Sequence, residues 1–279
     1  MSLLARWLLP CALLVTPSLA QEKVELTTSD GFQLEAHLVA SSLPDAPVAV
    51  LLHQYRADKK SWGPLLPALQ TAGFTAIALD QRAHGASTRK GAEQVKVADV
   101  PRERFGALVR QGPEDVKAAL ACLEQRGHKT ERVVLIGASY GCSVAILSAA
   151  ALPQVKALVL LSPGEDYFGV DVRSALRGWT GPTLVLAARG DGSCESSLAL
   201  ARPGKDSAHA GPRYVGEYEG PAHGTGLFAT RDPRLAELTG PREGEKLIGR
   251  LKRTGDPRAL IVTWLADAAK LGEAPDEAR

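Results

Sequence analysis

The chain has 279 residues, of which 45% are hydrophobic, 23% charged and 5% aromatic. These fractions fit an ordinary globular protein, not a disordered, collagen-like or multi-span membrane chain, and the length suits one large α/β domain or two small ones. Lysine and arginine total 33 against 31 acidic residues, a formal net charge of +2, which lacks the basic excess of an electrostatic nucleic-acid binder.

Met1 to Ala20 reads as a secretory signal peptide. Arg6 gives a weakly basic start, Trp7 to Val15 is apolar apart from Pro10, and Ser18-Leu19-Ala20 puts small residues where a signal peptidase reads. The apolar stretch falls short of the roughly 20 residues that span a bilayer, so no stable membrane insertion is expected. Lipoprotein cleavage before Cys11 is a poorer reading, because Pro10 precedes the cysteine. The expected product is a single domain over 21–279, periplasmic or secreted. Export permits disulfides. The three remaining cysteines, Cys122, Cys142 and Cys194, leave at least one thiol unpaired in a monomer. Three buried free thiols are the preferred reading, with a Cys142–Cys194 bridge as the alternative.

Val24 to Thr28 and Phe32 to Ala36 alternate around Asp30-Gly31, a hairpin signal. Val48 to Leu52 is a strand buried on both faces. Trp62 to Ala72 reads as a helix stopped by Gly73, and Phe74 to Leu79 as the next strand. Ser87 to Gln111 is charged and aperiodic, and is expected to contribute to a ligand rim. Pro113 to Gln125 reads as a helix opened by proline, with Glu114 and Asp115 in its first turn. Val133 to Ile136 is a strand and Tyr140 to Ala151 an Ala-rich helix. Ala157 to Leu161, Thr183 to Ala187 and Tyr214 to Tyr218 are further strands, the last of them taken as the final one. Phe228 to Pro257 is broken by Gly and Pro, and Ala259 to Leu271 is an amphipathic helix. Alternating strands and helices predict a mostly parallel, doubly wound sheet. Ligands then bind beyond the carboxyl ends of its strands.

Gly137-Ala138-Ser139-Tyr140-Gly141 fits G-x-S-x-G, and the strand before it and helix after it supply the context that gives the motif meaning. A serine hydroxyl needs a base, and the base an orienting acid. Six histidines are available. His37 and His128 read as surface residues, His209 lies in a polar stretch, and His53 and His84 precede the elbow. His223 follows the last predicted strand in a glycine-rich loop and is the candidate base. Asp191, after the strand Thr183 to Ala187, is the preferred acid, with Asp166 and Glu165 as rivals. The order Ser139, Asp191, His223 is that of one triad class.

With these residues the chain resembles an α/β-hydrolase of the dienelactone hydrolase-like or small bacterial serine esterase type. Leu51-Leu52-His53-Gln54-Tyr55, then Trp62, is similar to the family's His-Gly strand end. Leu79-Asp80-Gln81-Arg82-Ala83-His84-Gly85-Ala86-Ser87 is similar to its D-x-R-G-H-G-x-S loop, with Ala83 where glycine is usual. Gln54 likewise stands where glycine is common. The resemblance implies an α/β-hydrolase fold with an N-terminal antiparallel hairpin. It places the oxyanion hole at the Tyr55 and Tyr140 backbone N–H groups and gives His53 and Arg82 to His84 a loop-pinning role. Ser162 to Pro182 is too short to build a cap domain with its own core. No metal motif or phosphate-cradling loop is present, so no cofactor is expected. The expected activity is hydrolysis of a small-molecule carboxylic ester or thioester through an acyl-enzyme. A peptidase or amidase on the same triad, or a non-catalytic binding protein, are the alternatives.

Overall fold

A computed structural model describes residues 21–201, 211–241 and 244–271. The signal-peptide reading and His209 lie outside the described residues.

Eleven strands form one sheet: β1 (Glu22–Thr27), β2 (Phe32–Val39), β3 (Val48–Leu52), β4 (Thr75–Leu79), β5 (Arg89–Lys90), β6 (Glu93–Gln94), β7 (Val133–Ala138), β8 (Val155–Leu161), β9 (Thr183–Ala188), β10 (Arg213–Tyr218) and β11 (Leu235–Thr239). Their spatial order is β11-β10-β9-β8-β7-β3-β4-β2-β5-β6, with β1 paired to β2. The run from β10 to β4 is parallel. The N-terminal hairpin and β11 add antiparallel pairs. The helices are α1 (Leu66–Thr71), α2 (Phe105–Gln125), α3 (Tyr140–Ala151), α4 (Arg173–Leu176), α5 (Cys194–Ala201), α6 (Glu245–Leu251) and α7 (Pro257–Leu271).

Strand periodicity divides the core in two. Val48, Val50 and Leu52 join α2 and α3 on one face. Ala49 and Leu51 join α1 and α7 on the other. Every residue of β3, β4, β7 and β9 is buried, which explains their unbroken apolar runs. β3 lies between β4 and β7. The chain therefore leaves β3 toward α1 on one face and β7 toward α3 on the other. A crevice opens where those directions diverge.

Three expectations are corrected. The helix placed at Pro113 begins at Phe105, and Pro113 lies inside it. Interior proline costs about 3 kcal/mol. Burial of Phe105 and Val109, and the bare Cα of Gly112, outweigh it: a Cβ on Gly112 would come within 2.6 Å of Val144 Cγ1. Asp115 is accordingly buried against Arg82 and does not serve the helix dipole. The helix placed at Trp62 begins at Leu66, because Asp58 caps a separate 3-10 turn, Lys59–Trp62. Tyr214 to Tyr218 is not the final strand. β11 follows it, and only Leu238 of β11 is buried, so no alternation was visible.

Candidate active site

Ser139 caps α3 with φ +52° and ψ −124°, a left-handed conformation that a serine adopts only where its surroundings impose it. They do so through contact. Ser139 N–H donates to the Leu161 carbonyl at 2.8 Å, and Cys142 N–H donates to the Ser139 carbonyl at 2.9 Å. The flanking glycines are required by close approach. A Cβ on Gly141 would lie 2.2 Å from the Leu52 carbonyl oxygen, and one on Gly137 2.6 Å from the Gly141 carbonyl oxygen. The motif thus packs α3 directly onto the end of β3, bringing Tyr140 near Tyr55 (ring centroids 6.4 Å apart). Among the described residues, neither the Tyr55 nor the Tyr140 backbone N–H is engaged by another group.

Past β9, Asp191 takes hydrogen bonds from Ser193 N–H (3.1 Å) and Ser193 Oγ (2.8 Å). His223, past β10, places Nδ1 2.8 Å from Asp191 Oδ2. Burial raises the Asp191 pKa, but hydrogen bonds from Ser193, His223 and Ser162 outweigh it and hold the carboxyl below its ordinary value. An ionised carboxylate only accepts, so Nδ1 carries the imidazole proton and Nε2 presents a lone pair. Of the rival acids, Glu165 pairs with Arg173. Asp166 precedes the 3-10 turn Tyr167–Gly169.

Among the described residues no hydrogen bond joins Ser139 to His223. The Tyr167 hydroxyl, which donates to the Ser162 carbonyl at 3.0 Å, lies beside the Ser139 and Ser193 hydroxyls. Free enzymes often show such loose geometry, which tightens around substrate. The segment from Ser162 to Pro182 holds only that 3-10 turn and α4. Phe168, at φ +57°, packs its ring on Tyr55 (4.9 Å) and Phe105 (4.5 Å). Phe105 belongs to the aperiodic stretch read as rim, so that stretch touches the candidate site.

His53 is fully buried and uses both ring nitrogens. Nδ1 donates to the Gln54 carbonyl (2.8 Å) and Nε2 accepts from Gln81 N–H (3.1 Å). Burial, aided by the neighbouring His84, pulls its pKa down to about 3. His53 therefore holds the β3 and β4 loop ends together and stays neutral. Asp80 receives the Lys59 ammonium (2.7 Å) and the Ala86 N–H (2.7 Å). Arg82 binds Asp115 through Nε (2.8 Å) and Nη2 (2.7 Å). Ala83 sits at φ +69°, where glycine would spare about 1 kcal/mol.

His53 gives stability a predictable pH dependence. Its folded pKa lies below the unfolded value, so the unfolded chain binds the extra proton between about pH 6.5 and 3. Stability is complete above that window and falls as pH drops through it, by up to about 1.4 kcal/mol per unit. Urea melts at pH 7, 6, 5 and 4 should show this slope, and His53→Asn should flatten it. A wild-type stability constant from pH 7 to 5 would contradict the assignment.

Ser162, Ser193, Tyr167 and Thr225 were not singled out from sequence. Only Asp191-Gly192-Ser193 carried a local signal, the short polar turn in which a side chain bonds backbone two residues on. Among the described residues no disulfide joins Cys122, Cys142 and Cys194; Cys142 and Cys194 are buried and Cys122 is half-buried. Burial pushes the Cys142 thiol well up, and its Sγ faces the Leu161 carbonyl.

Residues 47–177 match the alpha/beta hydrolase fold family. This segment contains Tyr55 and Ser139 and ends before Asp191. Among curated proteins, epoxide hydrolase B of Mycobacterium tuberculosis is 28% identical over 197 residues, covering 61% of this chain and 55% of that protein. Epoxide hydrolase A of the same organism is 33% identical over 139 residues, covering 47% and 40%. The chain thus spans about half the length of these relatives. Among solved structures, the Pyrococcus furiosus esterase Pf2001 superposes with TM-score 0.59 at 20% identity, covering 85% of this chain and 91% of that one. Est1E from Butyrivibrio proteoclasticus, solved with ferulic acid, gives 0.54 at 17%, covering 71% and 89%. Its sheet order, its elbow and these similarities agree that the chain has the α/β-hydrolase fold.

Proposed function

We propose that the protein is a serine hydrolase that cleaves carboxylic esters or thioesters through an acyl-enzyme. Ser139 is its nucleophile, His223 its base, Asp191 the orienting acid, and the Tyr55 and Tyr140 amides its oxyanion hole. The observation that carries this reading is the 2.8 Å contact between Asp191 and His223 Nδ1, in a chain that also holds a serine at the elbow.

Ser139 Oγ bonds to the acyl carbon as its proton passes to His223 Nε2. The carbonyl oxygen becomes an oxyanion facing the two free amides, and each such donor is worth about 10²–10³ in rate. The bond to the leaving oxygen or sulfur then breaks, and that atom takes the proton from Nε2. Water repeats the sequence on the acyl-enzyme, releasing the acid and restoring Ser139.

Epoxide opening, suggested by the names of the curated relatives, fits a serine nucleophile poorly. Attack by Oγ on an epoxide carbon would leave an alkyl ether with no carbonyl for water to attack. The same active site could turn over an amide if its leaving nitrogen were protonated by His223. A panel of p-nitrophenyl esters of increasing acyl length, with an aminoacyl anilide and styrene oxide, separates these chemistries. Ester turnover with little anilide or epoxide turnover is expected. Epoxide turnover alone would overturn the proposal.

A further inference from the structure

Tyr55 and His223 stand at the ends of β3 and β10, with β7, β8 and β9 between them. The loop after β10 must arch back over three strand ends to reach the elbow, and no sheet ladder holds it there. Side-chain bonds do. Just past His223, Gly224 N–H donates to the buried Ser162 Oγ at the end of β8 (3.0 Å). Thr225 then donates both its Oγ1 (2.8 Å) and its N–H (3.2 Å) to one atom, Gln54 Oε1. The glycine is needed for that reach. Gly224 has φ +54°, and a Cβ there would stand 3.1 Å from Gln54 Oε1 and 3.3 Å from Ala138 Cβ. Gln54 is fixed at its own backbone, where its carbonyl accepts from His53 Nδ1 (2.8 Å) and Ala57 N–H (3.0 Å).

We propose that Gln54 is a positioning residue that clamps the His223 loop to the Tyr55 turn and so sets the spacing between the base and one oxyanion donor. This rests on the acyl-transfer reading above. The two groups must converge on one carbonyl, and a misplacement of about 1 Å can cost about 10²-fold. A glycine after His53 could hold neither Thr225 donor. Gln54 does so with a single oxygen, leaving the Tyr55 N–H, on the next residue, unengaged.

The test uses Gln54→Met, which keeps length and removes the acceptor, with Thr225→Val, Thr225→Ser and the Gln54→Met/Thr225→Val double variant. On p-nitrophenyl butyrate, Gln54→Met should lower kcat about 10- to 100-fold, with KM little changed. Thr225→Val should lose less, because its N–H still reaches Oε1, and Thr225→Ser should recover that loss. The double variant should be no worse than Gln54→Met, since both act through one contact. Unchanged kcat in Gln54→Met, or fully additive losses, would overturn the clamp. Hydrogen exchange supplies a readout independent of turnover: the Gly224 and Thr225 amides should exchange faster in Gln54→Met, and unchanged exchange also overturns it. Faster exchange in a protein whose Ser139 takes no fluorophosphonate would keep the clamp and reject only the acyl-transfer reading. If Gln54→Met does not fold, the Thr225 pair decides by the same measurements.

Discussion

Ser139→Ala should lose about 10⁶ in kcat for ester hydrolysis, the scale seen when a triad serine is removed elsewhere, while its melting transition stays near wild type. The residual rate would come from the oxyanion donors and binding alone. A fluorophosphonate should label the wild-type protein at one residue, Ser139, and leave the variant unlabelled. Mass spectrometry of the tryptic peptides reads both outcomes. Alanine keeps the backbone bonds from Ser139 N–H to Leu161 and from Cys142 N–H to the residue 139 carbonyl, so the elbow should persist without its hydroxyl. Labelling of the alanine variant at the wild-type rate would remove the mechanism.

The second large effect belongs to the acid. Asp191→Asn keeps size and shape, but its amide nitrogen donates where the carboxylate accepts. That favours the tautomer with the proton on Nε2, which cannot take one from Ser139. In one studied triad this change cost about 10⁴ in kcat, and a loss of that order is expected. Asp166→Asn, beside the 3-10 turn and away from the imidazole contact, should change kcat by less than about threefold, a surface-scale effect. Reversed magnitudes would place the acid after β8. Burst-phase kinetics with an active-site titrant would show whether the loss falls on acylation.

Much of this arrangement was legible because it is local. Val133 to Ile136 feeding Gly137 and Tyr140 to Ala151 leaving Gly141 announce a strand, a turn and a helix from neighbouring residues alone. The placement of His223 and Asp191 followed from their positions just past apolar strands. Other features depend on distant partners. The helix at Phe105 runs through Pro113 because burial overrides the proline's local cost. β11 is an edge with one buried residue. The bond from Thr225 to Gln54 joins residues 171 apart, a relation that no spacing rule reaches. Asp115 beside Glu114 looked like a helix start, and only the fold brings Arg82 to it.

The loops beneath the crevice are tied by ions withdrawn from water. The Lys59–Asp80 pair has side chains 6% and 0% exposed, and the Arg82–Asp115 pair 3% and 1%. Mobile salt screens charges that it can surround, over about 8 Å at physiological strength; it cannot enter these pairs. Outer pairs such as Lys129–Asp45, 61% and 64% exposed, lie within its reach. Rising ionic strength should therefore loosen the outer surface while the strand ends that carry Tyr55 and the Asp80 to Ser87 loop keep their shape, so that brine weakens the periphery before it disturbs the floor of the cleft.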